Sequence, residues 1–253
     1  MENNVMSTKV FKTLLATLAI AGSSLAQATI VEVTTNLGKF EVNLYDETTP
    51  TTVQNFLNYV SSGRYNGTVI HRSVPGFIVQ GGGFVFDEKL PLKATTTNAA
   101  IVNEPKWSNV RATIAMAKVG GNPNSATNQW FINLANNAEN LDRQNSGFTV
   151  FGQISGAGME VIDAIAKLPR YNFNGISDLP LRDYSNTDRD NNKPLATANF
   201  VTIESVVVVD PRANTAAGLT LAPNIGPAPE SSGGSFGWLL LPLSLLALRR
   251  RKY

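Results

Sequence analysis

The chain has no cysteine among its 253 residues and one histidine, His71. Without thiols there is no disulfide framework, no zinc–thiolate site and no cysteine nucleophile. One imidazole cannot build a histidine metal cluster, and a Ser–His–Asp triad would have to run through it. Charged residues are sparse, at 16%, and the formal net charge of +2 belongs to the ends. Lys9 and Lys12 stand near the start; Arg249, Arg250, Arg251 and Lys252 stand near the finish. Setting these and Glu2 aside takes Lys+Arg from 21 to 15 and Asp+Glu from 19 to 18, a net −3. Nucleic-acid binding draws on a basic footprint, and the body has none. Apolar residues, at 43%, suffice for a packed core.

The two ends read as addresses. From Met6, the cations Lys9 and Lys12 precede an apolar stretch, Leu14 to Ala21, and then Ala26-Gln27-Ala28. That order is a secretory signal peptide with cleavage after Ala28. The apolar stretch is too short for a membrane anchor. At the other end, Gly233-Gly234 precedes an apolar run, Trp238 to Leu248, and four cations. At about 1.5 Å per residue the run covers only about half a bilayer core. Cations after it fit a body outside the cytoplasmic membrane. This order of parts resembles the GlyGly-CTERM sorting tails of Gram-negative bacteria. The resemblance implies processing by a rhombosortase-type protease and delivery to the surface or beyond. A plain C-terminal anchor is the alternative. The domain plan is therefore a signal peptide (1–28), a folded body (29–209), a flexible Ala/Pro/Gly/Asn-rich linker (210–232) and a sorting tail (233–253).

Within the body, Ile30 to Thr35 and Lys39 to Tyr45 alternate, which predicts a hairpin with Phe40, Val42 and Leu44 on one face. Thr49-Pro50 starts a helix whose apolar stripe is Val53, Phe56, Leu57 and Val60, and Gly63 ends it. A second helix is predicted from Met159 to Leu168, stopped by Pro169. Phe200 to Val209 is a last strand, with Val201, Ile203, Val207 and Val209 predicted inward. Short β-like runs fill the interval. The fold class is mostly β: a closed barrel with helices over its ends. Tyr171 to Ala198 reads as a long solvated loop. Asp188, Asp190 and Asn192 have calcium-loop spacing, but Lys193 replaces the required glycine and Asn199 the bidentate glutamate.

Three segments carry the chemistry: HRSVPGFIVQGGGF from His71, TIAMAKVGGNPNSATNQWFINLA from Thr113, and NLDRQNSGFTVFGQI from Asn140. Read alone they exclude more than they assign. Gly81-Gly82-Gly83 lacks the phosphate-loop pattern and no helix pattern follows it, so a tight strand bend is the better reading. A lone histidine is more often packed than catalytic. Ser73 is not in a nucleophile elbow.

In this order, with VQNFLNYV at Val53 to Val60 ahead of them, the segments resemble cyclophilin-type peptidyl-prolyl cis–trans isomerases, closest to the secreted bacterial kind. The resemblance spans nearly the whole body. It implies an eight-stranded antiparallel β-barrel, closed and capped by two α-helices. Arg72 matches the catalytic arginine. Phe77 and Gln80 match the proline-pocket phenylalanine and the glutamine that bonds substrate backbone. Ile78 stands where many members have methionine. Ala117, Lys118 and Val119 match the strand that pairs with the peptide, Gln129 and Phe131 the next wall, and Leu141 and Phe148 the far side of the pocket. The matching histidine, His71, is not a proton shuttle in the family. Phe148 stands where eukaryotic members carry histidine. Asn140 stands where cyclosporin-sensitive members carry tryptophan, so cyclosporin binding is expected to be weak. Trp130 is expected in the barrel core, as are Phe56 and Phe151.

The implied partners are proline-containing polypeptides, with signal peptidase and the sorting protease for processing; a monomer is expected, with no cofactor, no metal and no nucleic acid. Two other readings stay open. One is a chaperone or adaptor that holds proline-containing segments with incidental turnover. The other is a surface-display protein with a passive domain.

Overall fold

Apolar alternation sets the first hairpin as expected. Strands β1 (Ile30–Thr35) and β2 (Gly38–Leu44) pair antiparallel and bury Val31, Val33, Phe40, Val42 and Leu44. The computed structural model describes residues 29–173, 175–211, 215–216 and 219–226. The expected signal peptide and the expected sorting tail lie outside them. Helix α1 (Pro50–Ser61) buries Val53, Phe56, Tyr59 and Val60. Its cap is tertiary. The Thr49 hydroxyl donates to the Tyr45 carbonyl at 3.2 Å. The first-turn N–H groups of Thr51 and Thr52 donate instead to the Glu104 carboxylate at 3.3 and 2.8 Å. A carboxylate there meets unpaired donors and the positive end of the helix dipole.

The remaining elements are β3 (Arg72–Val74), β4 (Ile78–Gly81), β5 (Phe84–Val85), β6 (Lys93–Ala94), β7 (Thr113–Met116), β8 (Trp130–Asn133), α2 (Ala138–Leu141), β9 (Val150–Ile154), α3 (Gly158–Ala166), β10 (Arg170–Phe173), β11 (Ile176–Pro180), α4 (Asn186–Asp190) and β12 (Ile203–Asp210). Eight strands form one antiparallel sheet in the order β12-β1-β2-β9-β7-β8-β4-β3. Its two ends meet through a bridge between Val69 and Thr202. Beside it, Ile70 N–H donates to the Val201 carbonyl at 2.9 Å and Ile203 N–H to the Thr68 carbonyl at 2.8 Å. The expected barrel is present, and these three contacts close it. The two expected helices, α1 and α3, pack on its core, and α2 and α4 add single turns. Trp130, Phe56 and Phe151 are in that core.

Three expectations change. On β12, Val206 is 4% exposed whereas Val207 and Val209 are 45% and 47% exposed. Thr35 pairs with Ile203 but Thr34 pairs with Ser205, so Glu204 is an extra residue in the ladder. Such a bulge moves every later side chain to the other face. The stretch from Tyr171 is not a solvated loop. It folds into the β10–β11 hairpin and α4 and buries Tyr171, Leu179, Leu181 and Tyr184 against Val69, Leu92 and Phe200. There Asp188 closes a capping box with Ser185 and pairs with Lys193 at 2.9 Å. The described part of the linker is docked, too. Asn43 Nδ2 donates to the Thr215 carbonyl at 2.8 Å, and Trp107 bridges to Pro223.

Candidate active site

The face opposite the barrel core is built by register. Arg72 on β3 stands across from Gln80 on β4, Gln80 from Phe131 on β8, and Phe131 from Ala115 on β7. Directly paired residues share a face, and their strand neighbours point the other way. Val79, Ile132, Ile114 and Trp130 accordingly enter the barrel core. Arg72, Gln80 and Phe131 therefore form one row on the outside.

Below this row lies a second apolar cluster. It gathers Ile78, Ala117, Phe131, Leu141 and Phe148 with Tyr45, Ala115 and Val150, and Phe77 packs against it. The Phe131 and Phe148 rings meet edge to face at 5.7 Å, an arrangement aromatic pairs favour. All the apolar residues expected for a proline pocket are thus in one cluster. Gln80 Nε2 donates to Gln129 Oε1 at 3.0 Å, so the two expected glutamines act as a pair. Gln80 Oε1 is buried without a partner.

Arg72 is half-buried, and burial lowers its pKa; the Asp178 carboxylate on β11 opposes that shift. It stays a cation, because a guanidinium cannot be deprotonated at ordinary pH. Among the described residues none accepts a hydrogen bond from it. His71 is buried, T-stacked on Phe84 at 4.8 Å, and burial lowers its pKa to about 4. It is a neutral, packed imidazole. The backbone of Lys118 makes no hydrogen bond among the described residues, whereas Ala117 N–H donates to the Gln129 carbonyl at 2.9 Å and Val119 N–H to Ser125 Oγ at 2.7 Å.

Two of the glycines held by close approach border the site. A Cβ on Gly83 would lie 2.4 Å from Gln129 Cγ. One on Gly147, at φ +74°, would lie 2.9 Å from the Asp142 carbonyl oxygen. Within the triple glycine, Gly83 packs against Gln129, and Gly81 and Gly82 pack against Trp130.

Sequence reasoning missed several neighbours. Asp178 comes from the stretch read as loop. Asn109, Asn133 and Asn137 form a buried chain behind the pocket: Asn109 Nδ2 donates to the Phe148 carbonyl at 3.1 Å and Asn137 Nδ2 to the Phe77 carbonyl at 2.9 Å. Asparagine recurring through an otherwise apolar segment was the one available signal.

An outer barrel face with a half-buried guanidinium that no described residue hydrogen-bonds, a part-buried glutamine pair and an apolar cluster suits proteins that act on an extended polypeptide. The chain belongs to the cyclophilin-type peptidyl-prolyl cis–trans isomerases and is an enzyme of that class: residues 30–185 match the family described as "Cyclophilin type peptidyl-prolyl cis-trans isomerase/CLD". It is 42% identical over 166 residues to a peptidyl-prolyl cis–trans isomerase of Acinetobacter baylyi, covering 64% of this chain and 85% of that one. It is 40% identical over 183 residues to peptidyl-prolyl cis–trans isomerase A of Dickeya dadantii, covering 69% and 93%. In fold it resembles a cyclophilin-type isomerase of Cryptosporidium parvum, with TM-score 0.54 and 21% identity over 72% of this chain and 98% of that one. The same protein has been crystallised in the presence of the dipeptide Ala-Pro, with TM-score 0.53.

Proposed function

We propose that the protein accelerates X–Pro rotation in exported polypeptides, with Arg72 stabilising the twisted amide while an apolar pocket grips the proline. The barrier to amide rotation is about 18–20 kcal/mol and comes from C–N double-bond character. Uncatalysed exchange takes roughly 10–100 s. No bond is made or broken, so the site needs no nucleophile or base. It must bind the twisted state better than the planar one. On twisting, the prolyl nitrogen becomes pyramidal and gains a lone pair. A guanidinium aimed at that nitrogen favours the twisted state.

The observation that carries this reading is Arg72: a partly desolvated cation, with Asp178 as a nearby opposite charge but no hydrogen-bond acceptor among the described residues, in one row with Gln80 and Phe131. Phe77, Ile78, Phe131, Leu141 and Phe148 would hold the ring. Gln80, Gln129 and the backbone of Ala117 and Lys118 would hold the peptide. Export rests on the signal peptide, and passage to the surface on the tail. N-terminal sequencing of exported protein should give Thr29.

The test is a prolyl-isomerisation assay on a short proline-containing peptide, with the full chain and Arg72→Ala compared. A preference for the twisted state of about 4 kcal/mol predicts a loss of roughly a thousandfold in kcat/KM, with the fold unchanged. A folded parent without turnover would sink the reading and favour a binding module. Weak cyclosporin inhibition is expected from Asn140.

A further inference from the structure

The carboxylate of Asp142 is buried, the residue being 2% exposed, directly behind the far wall of the pocket. Oδ1 accepts from the N–H and Nδ2 of Asn109 at 2.8 and 2.9 Å. Oδ2 accepts from Ser108 Oγ at 2.6 Å and from Ile225 N–H at 3.3 Å. Asn109 then holds the Phe148 carbonyl, and Phe148 N–H donates to the Leu141 carbonyl at 2.9 Å. Both pocket residues hang on this cluster. A buried charge is tolerable only when such donors surround it.

One of the four donors comes from beyond the family match, which ends at residue 185. The segment holding it is fastened along its length. Ser108 N–H donates to the Ala222 carbonyl at 2.8 Å and Asn224 N–H to the Lys106 carbonyl at 3.1 Å. Leu219 and Leu221 pack on the apolar cluster that contains Phe131, Leu141 and Phe148. Asn224 Nδ2 lies 3.3 Å from where a Cβ on Gly147 would be, one residue before Phe148.

We propose that residues 219–226 are a strap that completes the Asp142 cluster and thereby positions Leu141 and Phe148, so that the strap sets affinity for the proline-containing chain. This inference rests on the isomerase reading, and Asp142 acts in it as a positioning residue.

The test uses the full chain and three variants: Leu221→Asp, which expels the strap; Ile225→Pro, which removes the donor to Asp142; and Leu221→Met, which keeps the packing. On a proline-containing peptide, Leu221→Asp and Ile225→Pro should raise KM about fivefold and change kcat by less than about twofold. Leu221→Met should match the parent. A strap that only stabilised the fold would lower the unfolding midpoint and leave KM alone. KM equal to the parent's in both Leu221→Asp and Ile225→Pro overturns the proposal. Amide exchange at Phe148 reads the strap without turnover, and it should quicken about tenfold in Leu221→Asp. Unchanged exchange overturns the strap. A folded parent that lacks turnover while exchange still depends on Leu221 overturns only the isomerase reading.

Discussion

The ammonium of Lys118 lies 4.8 Å from the centroid of the Phe148 ring and donates to the carbonyls of Asn145 and Gly147 at 2.8 and 2.5 Å. Asn145, Ser146 and Gly147 all have positive φ, at 49°, 61° and 74°, a costly backbone for the first two. One buried cation thus holds the turn that delivers Phe148. Lys118→Met should raise KM severalfold, because the Asn145 carbonyl loses its donor at a cost of about 1–3 kcal/mol. Burial lowers the Lys118 pKa to about 8 from 10.5. Between those values the unfolded chain binds the proton more readily, so this group makes stability rise with pH there. Denaturant titrations of parent and Lys118→Met from pH 7.5 to 10.5 should show that rise in the parent alone.

Charge alone should not replace Arg72. Lysine at this position keeps the cation but loses the planar fork of donors. Arg72→Lys should retain less than about a tenth of parental kcat/KM with an unchanged unfolding midpoint. Parental activity in that variant would mean the guanidinium geometry is not used.

Gly83→Ala should disturb the glutamine pair. Its Cβ would stand 2.4 Å from Gln129 Cγ, so Gln129 must move and release Gln80. The loss of one oriented hydrogen bond, about 1 kcal/mol, corresponds to roughly fivefold in kcat/KM. Peptide titration at fixed enzyme concentration checks it.

His71 should make the fold acid-sensitive. Its pKa is about 4 in the folded protein against an ordinary 6.5. Between these values the unfolded chain takes up the proton and the folded one does not. Stability from this group is complete above about pH 6.5 and is lost as pH falls toward 4, by up to about 3 kcal/mol. His71→Phe should flatten the urea midpoint between pH 6.5 and 4.5. An identical slope in both proteins would show that other groups set it.

The first hairpin, α1 and α3 were legible because each carries its own period: Phe40, Val42 and Leu44 at two, and Val53, Phe56 and Val60 at three and four. That Phe77, Ile78, Phe131, Leu141 and Phe148 gather in one cluster was legible through ordered motifs. The inward face of β12 was misread because one bulged residue, Glu204, resets the alternation. The hairpin after Pro169 was misread because its apolar residues are few and irregularly spaced among polar ones. They find partners in residues such as Val69, Leu92 and Phe200, which lie outside the hairpin.

By itself the sequence determined the class of protein, the barrel with its helices, the lack of thiol or histidine-cluster chemistry, and which apolar side chains would cluster on the barrel's outer face. Local periodicity and residue type are properties of neighbours along the chain, so they can be read there. Only the tertiary structure decided what holds those side chains still: Glu104 at the start of α1, Asp178 near Arg72, Lys118 under Phe148, and Asp142 joined to Ile225. Each of these is a polar group whose partner lies dozens of residues away. Burial compels such groups to find partners, but no spacing rule says which ones they find.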